Sequence, residues 1–99
     1  MKDITDLIED LKHKDSSVRR HAVETLGIIE GERAIDALIL VLKDKNRFVR
    51  QEAIVALGKV GDAKLVGPLT QALEEEKDEF AKESVKKALE KLQSRENVE

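Results

Sequence analysis

The chain has 99 residues, with 21 acidic and 18 basic side chains, a net charge of −3 and no cysteine. That length suits one domain, since two would each be too short to bury a stable core. The charge balance excludes a strongly basic nucleic-acid binder and a strongly acidic tail. The missing thiols exclude disulfide frameworks, Cys-ligated zinc, iron–sulfur clusters and thiol catalysis. Hydrophobic residues at 40% beside charged residues at 39% describe a folded, highly soluble, helical chain. No apolar run approaches the ~20 residues that span a bilayer. The opening Met-Lys-Asp-Ile-Thr-Asp carries no signal-peptide pattern, so the expected location is cytoplasmic.

The chain repeats itself. A shift of 31 residues superposes Ile4, Leu7, Ile8 and Leu11 on Ile35, Leu38, Ile39 and Leu42. It also superposes Val18, Arg19, Ala22, Leu26 and Gly27 on Val49, Arg50, Ala53, Leu57 and Gly58, and Lys12 and Lys14 on Lys43 and Lys45. Those are 11 identities in 31 positions, where chance gives about two. A fainter third copy continues with Val66, Leu69 and Leu73, then Phe80, Ser84, Val85 and Ala88. The units are 1–31, 32–62 and 63–93, with a tail of 94–99.

Each unit has two apolar runs at helical spacing, such as Ile4, Leu7, Ile8, Leu11 and then Val18, Ala22, Val23, Leu26, Ile29. Six helices follow, roughly over 3–13, 16–29, 32–43, 47–60, 63–75 and 78–94. Asp15 and Asn46 stand where the second helix of a unit starts, and Asp62 where the fifth helix starts; their side-chain oxygens suit free first-turn N–H groups. Gly61 suits a left-handed C-terminal cap. Gly27 and Gly58 recur at one phase inside helices, where each costs ~1 kcal/mol against alanine, so a neighbouring helix is expected to approach closely there. Pro68 is expected to kink the fifth helix. The third helix is apolar almost all round, while the first and last carry one stripe among charges. A buried centre with polar ends suits a stacked array, so a complete three-unit array is expected, not a fragment of a longer one. The fold class is all-α: a short solenoid, or alpha-alpha superhelix, of three stacked helical hairpins in a single domain.

The motifs Asp15-Ser-Ser-Val18-Arg19-x-x-Ala22-x-x-x-Leu26-Gly27 and Asn46-Arg-Phe-Val49-Arg50-x-x-Ala53-x-x-Ala56-Leu57-Gly58-x-Val60-Gly61-Asp62 resemble the HEAT-like repeat of the bilin-lyase type. Unit three departs from the motif: Lys77 stands at the cap and Phe80-Ala81 at the Val-Arg pair. The resemblance implies a right-handed superhelix whose second helices line a concave side. It also implies that Arg19 and Arg50 pair with acidic or carbonyl groups where repeats join, with Asp15, Asp44 and Asn46 as candidates. Arg19, Arg50 and Asp44 are therefore expected to be structural. The similar deoxyhypusine hydroxylases bind iron through His-Glu dipeptides, and no such dipeptide occurs here.

No catalytic residue, cofactor or metal is expected. His13 and His21 are the only histidines, and the column His21, Glu52, Glu83 spaces its members roughly 10 Å apart in stacked hairpins. No serine stands in a pattern with a histidine, and Gly58-Lys59-Val60-Gly61 lacks the spacing of a phosphate loop. Lys12, Lys14, Lys43, Lys45 and Arg47 fall at one edge of loops, which Glu74-Glu75-Glu76 continues with the opposite sign. Without Trp or Tyr for base stacking, nucleic acid is an unlikely partner.

The leading expectation is a non-catalytic scaffold or adaptor that binds a protein or peptide on its concave face. Phe48, Val55 and Ile28 would be the apolar contacts, and Arg20, Glu24, Glu52, Lys59 and Lys86 the charged ones. The facing residues of the sixth helix are expected to be Glu79, Lys82, Glu83, Lys86 and Glu90. Leu40, on the opposite face, suits a homodimer. Two alternatives stay open: an accessory factor or subunit of a bilin-lyase-like maturation enzyme, and an engineered repeat protein. The charge-rich, Cys-free, Asn-poor composition with one Met also fits a thermophilic source.

Overall fold

The computed structural model describes residues 2–29 and 31–96. Its elements are α1 (Ile4–Asp10), α2 (Ser16–Ile29), α3 (Glu32–Val41), α4 (Arg47–Val60), a 3-10 turn (Ala63–Leu65), α5 (Val66–Glu75) and α6 (Glu79–Glu96). No strand occurs among the described residues. Of the expected tail, residues 94–96 continue α6 and 97–99 lie outside the described residues.

Except for α3, whose N-cap is Gly31 and has no side-chain cap, the helices or their lead-ins begin where short polar side chains close free N–H groups. Asp3 accepts from the Asp6 amide in a reciprocal capping box, and Asp15 accepts from Ser17 at 2.8 Å. Asn46 accepts from both Phe48 and Val49, and Asp62 from Lys64. Gly61 ends α4 with φ 70°, the left-handed region that favours glycine.

Each first helix packs on the second helix of its own hairpin, and α4 packs closely on both α2 and α6. The chain is thus a solenoid of three stacked helical hairpins, with α2, α4 and α6 forming a tight layer. Among the described residues, twenty apolar ones are buried between the layers, with Val23, Leu26, Ala53, Leu57, Leu65, Leu69, Ala81 and Val85 fully enclosed. Each enclosed Val, Ile or Leu contributes about 1.5–3 kcal/mol against exposure. A Cβ on Gly27 would lie 3.0 Å from the Ala56 Cβ, and one on Gly58 3.2 Å from the Ala88 Cβ. These two glycines set the close approach of α2 to α4 and of α4 to α6.

Four expectations change. α1 and α3 stop at Asp10 and Val41, before their expected ends, and tighter turns with i→i+3 hydrogen bonds follow. Ile29 leaves the core stripe and is exposed at the end of α2. Pro68 is the third residue of α5, where a backbone N–H would have no helical partner, so it breaks no bond of that helix, and a 3-10 lead-in precedes it.

The fourth change is the register of the last helix. Ala81, Val85, Ala88 and Leu92 are buried, while Phe80 is 79% exposed and Ser84 is partly exposed. These buried residues match Val49, Ala53, Ala56 and Val60 at a spacing of 32, not 31. Leu69 and Leu73 still match Leu38 and Leu42 at 31, so the extra residue enters at Glu74–Glu76. Unit three therefore keeps more of the motif than a uniform spacing suggests. Asp78 stands at the cap and accepts from the Ala81 amide at 2.9 Å, and Ala81 takes the Val49 position.

Candidate functional site

Two arginines tie the hairpins together next to their loops, Arg19 on α2, which is buried, and Arg50 on α4, which is half-buried. Arg19 is only 5% exposed, although a guanidinium never loses its charge. It donates through Nε and Nη2 to the Asp44 carboxylate at 2.9 and 3.2 Å, and through Nη1 to the His13 and Lys14 carbonyls. Arg50 repeats this one unit on. Nε and Nη2 donate to Glu76 at 2.9 and 3.0 Å, and Nη1 to the Asp44 carbonyl. Such paired, hydrogen-bonded geometry offsets the desolvation of each charge. Asp15 and Asn46 take no part, because both are occupied as helix caps.

Glu76 was not legible as a partner when Glu74-Glu75-Glu76 is taken as a solvated run. The signal lies in the 32-residue spacing, which superposes Asp44, Lys45, Asn46 and Phe48 on Glu76, Lys77, Asp78 and Phe80. Burial pushes the Glu76 carboxyl up. The Arg50 hydrogen bonds, the Asp78 amide, the Arg50 charge and the Lys77 amide outweigh it and hold the group below the usual carboxylate range. Asp78 is likewise lowered, first by the Ala81 amide that it caps and also by Arg47.

The outer face of α2, α4 and α6 holds most of the residues singled out for a partner. Phe48, Val55 and Lys59 are exposed and Glu52 is partly so, all on one side of α4. Phe48 is 54% exposed, and the Arg47 guanidinium lies over its ring, 4.9 Å from the centroid. Ile28 is exposed on α2. Arg20 bonds Glu52 across the α2–α4 seam at 3.2 Å and lies 3.8 Å from Glu24, so these charges partly answer one another. Arg47 bonds Asp78 across the next seam.

Lys86 departs from its expected place. With the register moved by one, Phe80, Lys87 and Lys91 continue the row of Phe48, Val55 and Lys59. Lys86 lies about 100° round the helix from Lys87, on the open flank of α6, paired with Glu83 at 3.6 Å. Glu79, Glu83 and Glu90 share that flank. The exposed pair of aromatics is therefore Phe48 and Phe80, at equivalent positions of adjacent helices.

The loop edge has a different character. Lys14, Lys45 and Lys77 occupy equivalent positions of the three hairpins, and all are exposed. The neighbouring carboxylates Asp44 and Glu76 turn inward to Arg19 and Arg50. Among the described residues, no group of three or more His, Asp or Glu side chains converges as a metal site. Among the same residues, no helix is long and apolar enough to cross a membrane.

Stacked, antiparallel helical hairpins joined by part-buried arginine–carboxylate pairs define a helical-repeat solenoid. The family model described as HEAT repeats matches residues 4–90, and the chain belongs to that family. No curated protein matches the sequence. One similar solved structure is epoxyqueuosine reductase with an epoxyqueuosine-modified tRNA-Tyr stem loop, with a TM-score of 0.67 at 30% identity. The match covers 93% of this chain and 26% of that enzyme, so this chain spans about a quarter of its length.

Proposed function

We propose that the chain is a non-catalytic interaction module that binds a protein or peptide on the outer face of α2, α4 and α6. The observation that carries this reading is the placement of the only two aromatic residues, Phe48 and Phe80, exposed at equivalent positions of adjacent helices. Large aromatics are costly to leave in water and common as interface anchors. Val55 extends the apolar contact along α4, and Lys59, Lys87 and Lys91 supply charge at the far end. A preformed helical layer loses little freedom on binding.

A second reading has its own support. The solved neighbour carries a tRNA stem loop, and the row Lys14, Lys45 and Lys77 gives this chain exposed cations at its loop edge. A bilin-lyase-like maturation role predicts an absorbance change on titration with a tetrapyrrole.

Affinity capture from the native lysate, with and without ribonuclease, separates the first two readings. Phe48→Glu with Phe80→Glu abolishes capture of a protein and leaves the melting temperature within about 2 °C, because both rings are exposed. Capture that survives this change, but is lost with ribonuclease or with Lys14, Lys45 and Lys77 all replaced by Glu, refutes the protein-binding reading in favour of RNA.

A further inference from the structure

The side of the molecule away from that face has a groove. α3 packs on α2 and α4, and α5 packs on α6 and on the 3-10 turn, yet α3 and α5 stand apart around a space of about 900 Å³. The cause lies in the side chains. Gly67, Pro68 and Ala72 line the gap from α5 with groups too short to reach α3, and the longer Gln71 and Glu75 stand beside them. From the other side come Ile39, Leu40 and Leu42, with Leu40 76% exposed.

The charge around this trough is one-sided. Lys43, Lys45 and Lys77 border its loop end. Asp44 and Glu76 line the same end, but their carboxylates are held by Arg19 and Arg50. Among the described residues, no ion pair involves any of these three lysines. Only Glu75, exposed at the end of α5, opposes them at the groove.

We propose that the α3–α5 groove binds an amphipathic helix of a partner protein, with apolar side chains in the trough and carboxylates at the end facing Lys43, Lys45 and Lys77. The dimensions suit that occupant. On α5 the lining runs from Gly67 to Glu75, about 12 Å along the helix, and the facing wall is the end of α3 with the turn after it, from Ile39 to Lys45, while anchors at i, i+3 or i+4, and i+7 span about 10.5 Å. The three lysines select carboxylates over amines at that end and speed encounter at low salt. This site is separate from the outer face of α2, α4 and α6, and each stands or falls without the other.

The test uses two synthetic helical peptides of about 14 residues with the same leucine stripe, one with glutamates at one end and one with lysines there. Each is titrated into the full isotope-labelled chain and followed by NMR. The glutamate peptide shifts the amides of Leu40, Lys43 and Ala72, leaves those of Val55 and Lys59 unmoved, and binds at least about 10-fold tighter than the lysine peptide. Leu40→Glu removes binding with no change in melting, since that side chain is exposed. Lys43, Lys45 and Lys77 all replaced by Glu reverse the preference between the peptides. Equal affinity for both, shifts confined to other surfaces, or no binding overturns the proposal. So does a dimer in the absence of peptide that buries Leu40, which would make a second copy of the chain the occupant.

Discussion

At the residue scale, the arginine joints divide into what sequence could and could not reveal. Arg19 and Arg50 stand out because a guanidinium inside an apolar helical arc must find partners. Asp44 is within reach of that reasoning. Glu76 is not, because one additional residue in an acidic run moves it from the surface to the joint. Its carboxylate accepts from Arg50 twice and from the Lys77 and Asp78 amides. Glu76→Gln removes the charge and aims an amide N–H₂ group at the guanidinium in one of its two orientations. The expected loss is about 1.5–3 kcal/mol near neutral pH, the range for hydrogen bonds to charged groups. The pH dependence has a definite sign. The folded-state pKa lies below the unfolded value of about 4.3, so the stabilisation is full above that unfolded value and is lost as pH falls through the folded one. Urea unfolding from pH 7 down to about pH 2.5 should show the wild-type advantage shrink below about pH 4. An advantage that stays constant over that range would show that Glu76 acts through shape alone.

At the element scale, the helices of the first two units are legible because caps, spacing and glycines agree. The last helix is less so. A shift of one residue turns its expected face by about 100°, which is why Lys86 leaves the row and Phe80 enters it. The fifth helix also differs, because Pro68 stands only three residues into an α-helix that starts at Val66, not deep inside one. The glycines test the packing reading directly. Gly27→Ala gains about 1 kcal/mol of helix propensity but sets two β-carbons 3.0 Å apart on facing helices. Neither is the tip of a flexible side chain, so α2 and α4 must separate, and overpacking of this kind costs about 1–3 kcal/mol. The expected net loss is about 1 kcal/mol for Gly27→Ala, and close to zero for Gly58→Ala, whose contact at 3.2 Å is easier to relieve. Adding Ala56→Gly to Gly27→Ala should recover part of the loss beyond additivity, as a double-mutant cycle in urea would reveal. A gain in stability from Gly27→Ala would mean that the seam is loose.

At the scale of the whole molecule, the groove between α3 and α5 had no sequence signature, since it depends on how far apart two helices stand. The stacking did have one, in the apolar surround of α3 and the polar outer sides of α1 and α6. Adjacent hairpins share almost every long-range bond. Arg19–Asp44 and Arg20–Glu52 join the first two, and Arg50–Glu76, Arg47–Asp78 and Gln51–Ser84 join the last two. In such an array each interface is part of the stability of both its neighbours. A chain ending at Asp62 would lose α5 and α6, uncover Gly58 and the surface of α4 around it, and leave the Arg50 guanidinium without its carboxylate. A chain of about 60 residues also buries only about 60% of the surface it exposes when unfolded. The shortened chain is therefore expected to lose its cooperative thermal transition in circular dichroism, or to associate in size-exclusion chromatography as α4 seeks cover. The full chain should melt in one sharp step, because no hairpin has a core of its own. If the shortened chain instead remains a monomer and melts sharply within about 10 °C of the full chain, two hairpins suffice and the third adds surface more than stability.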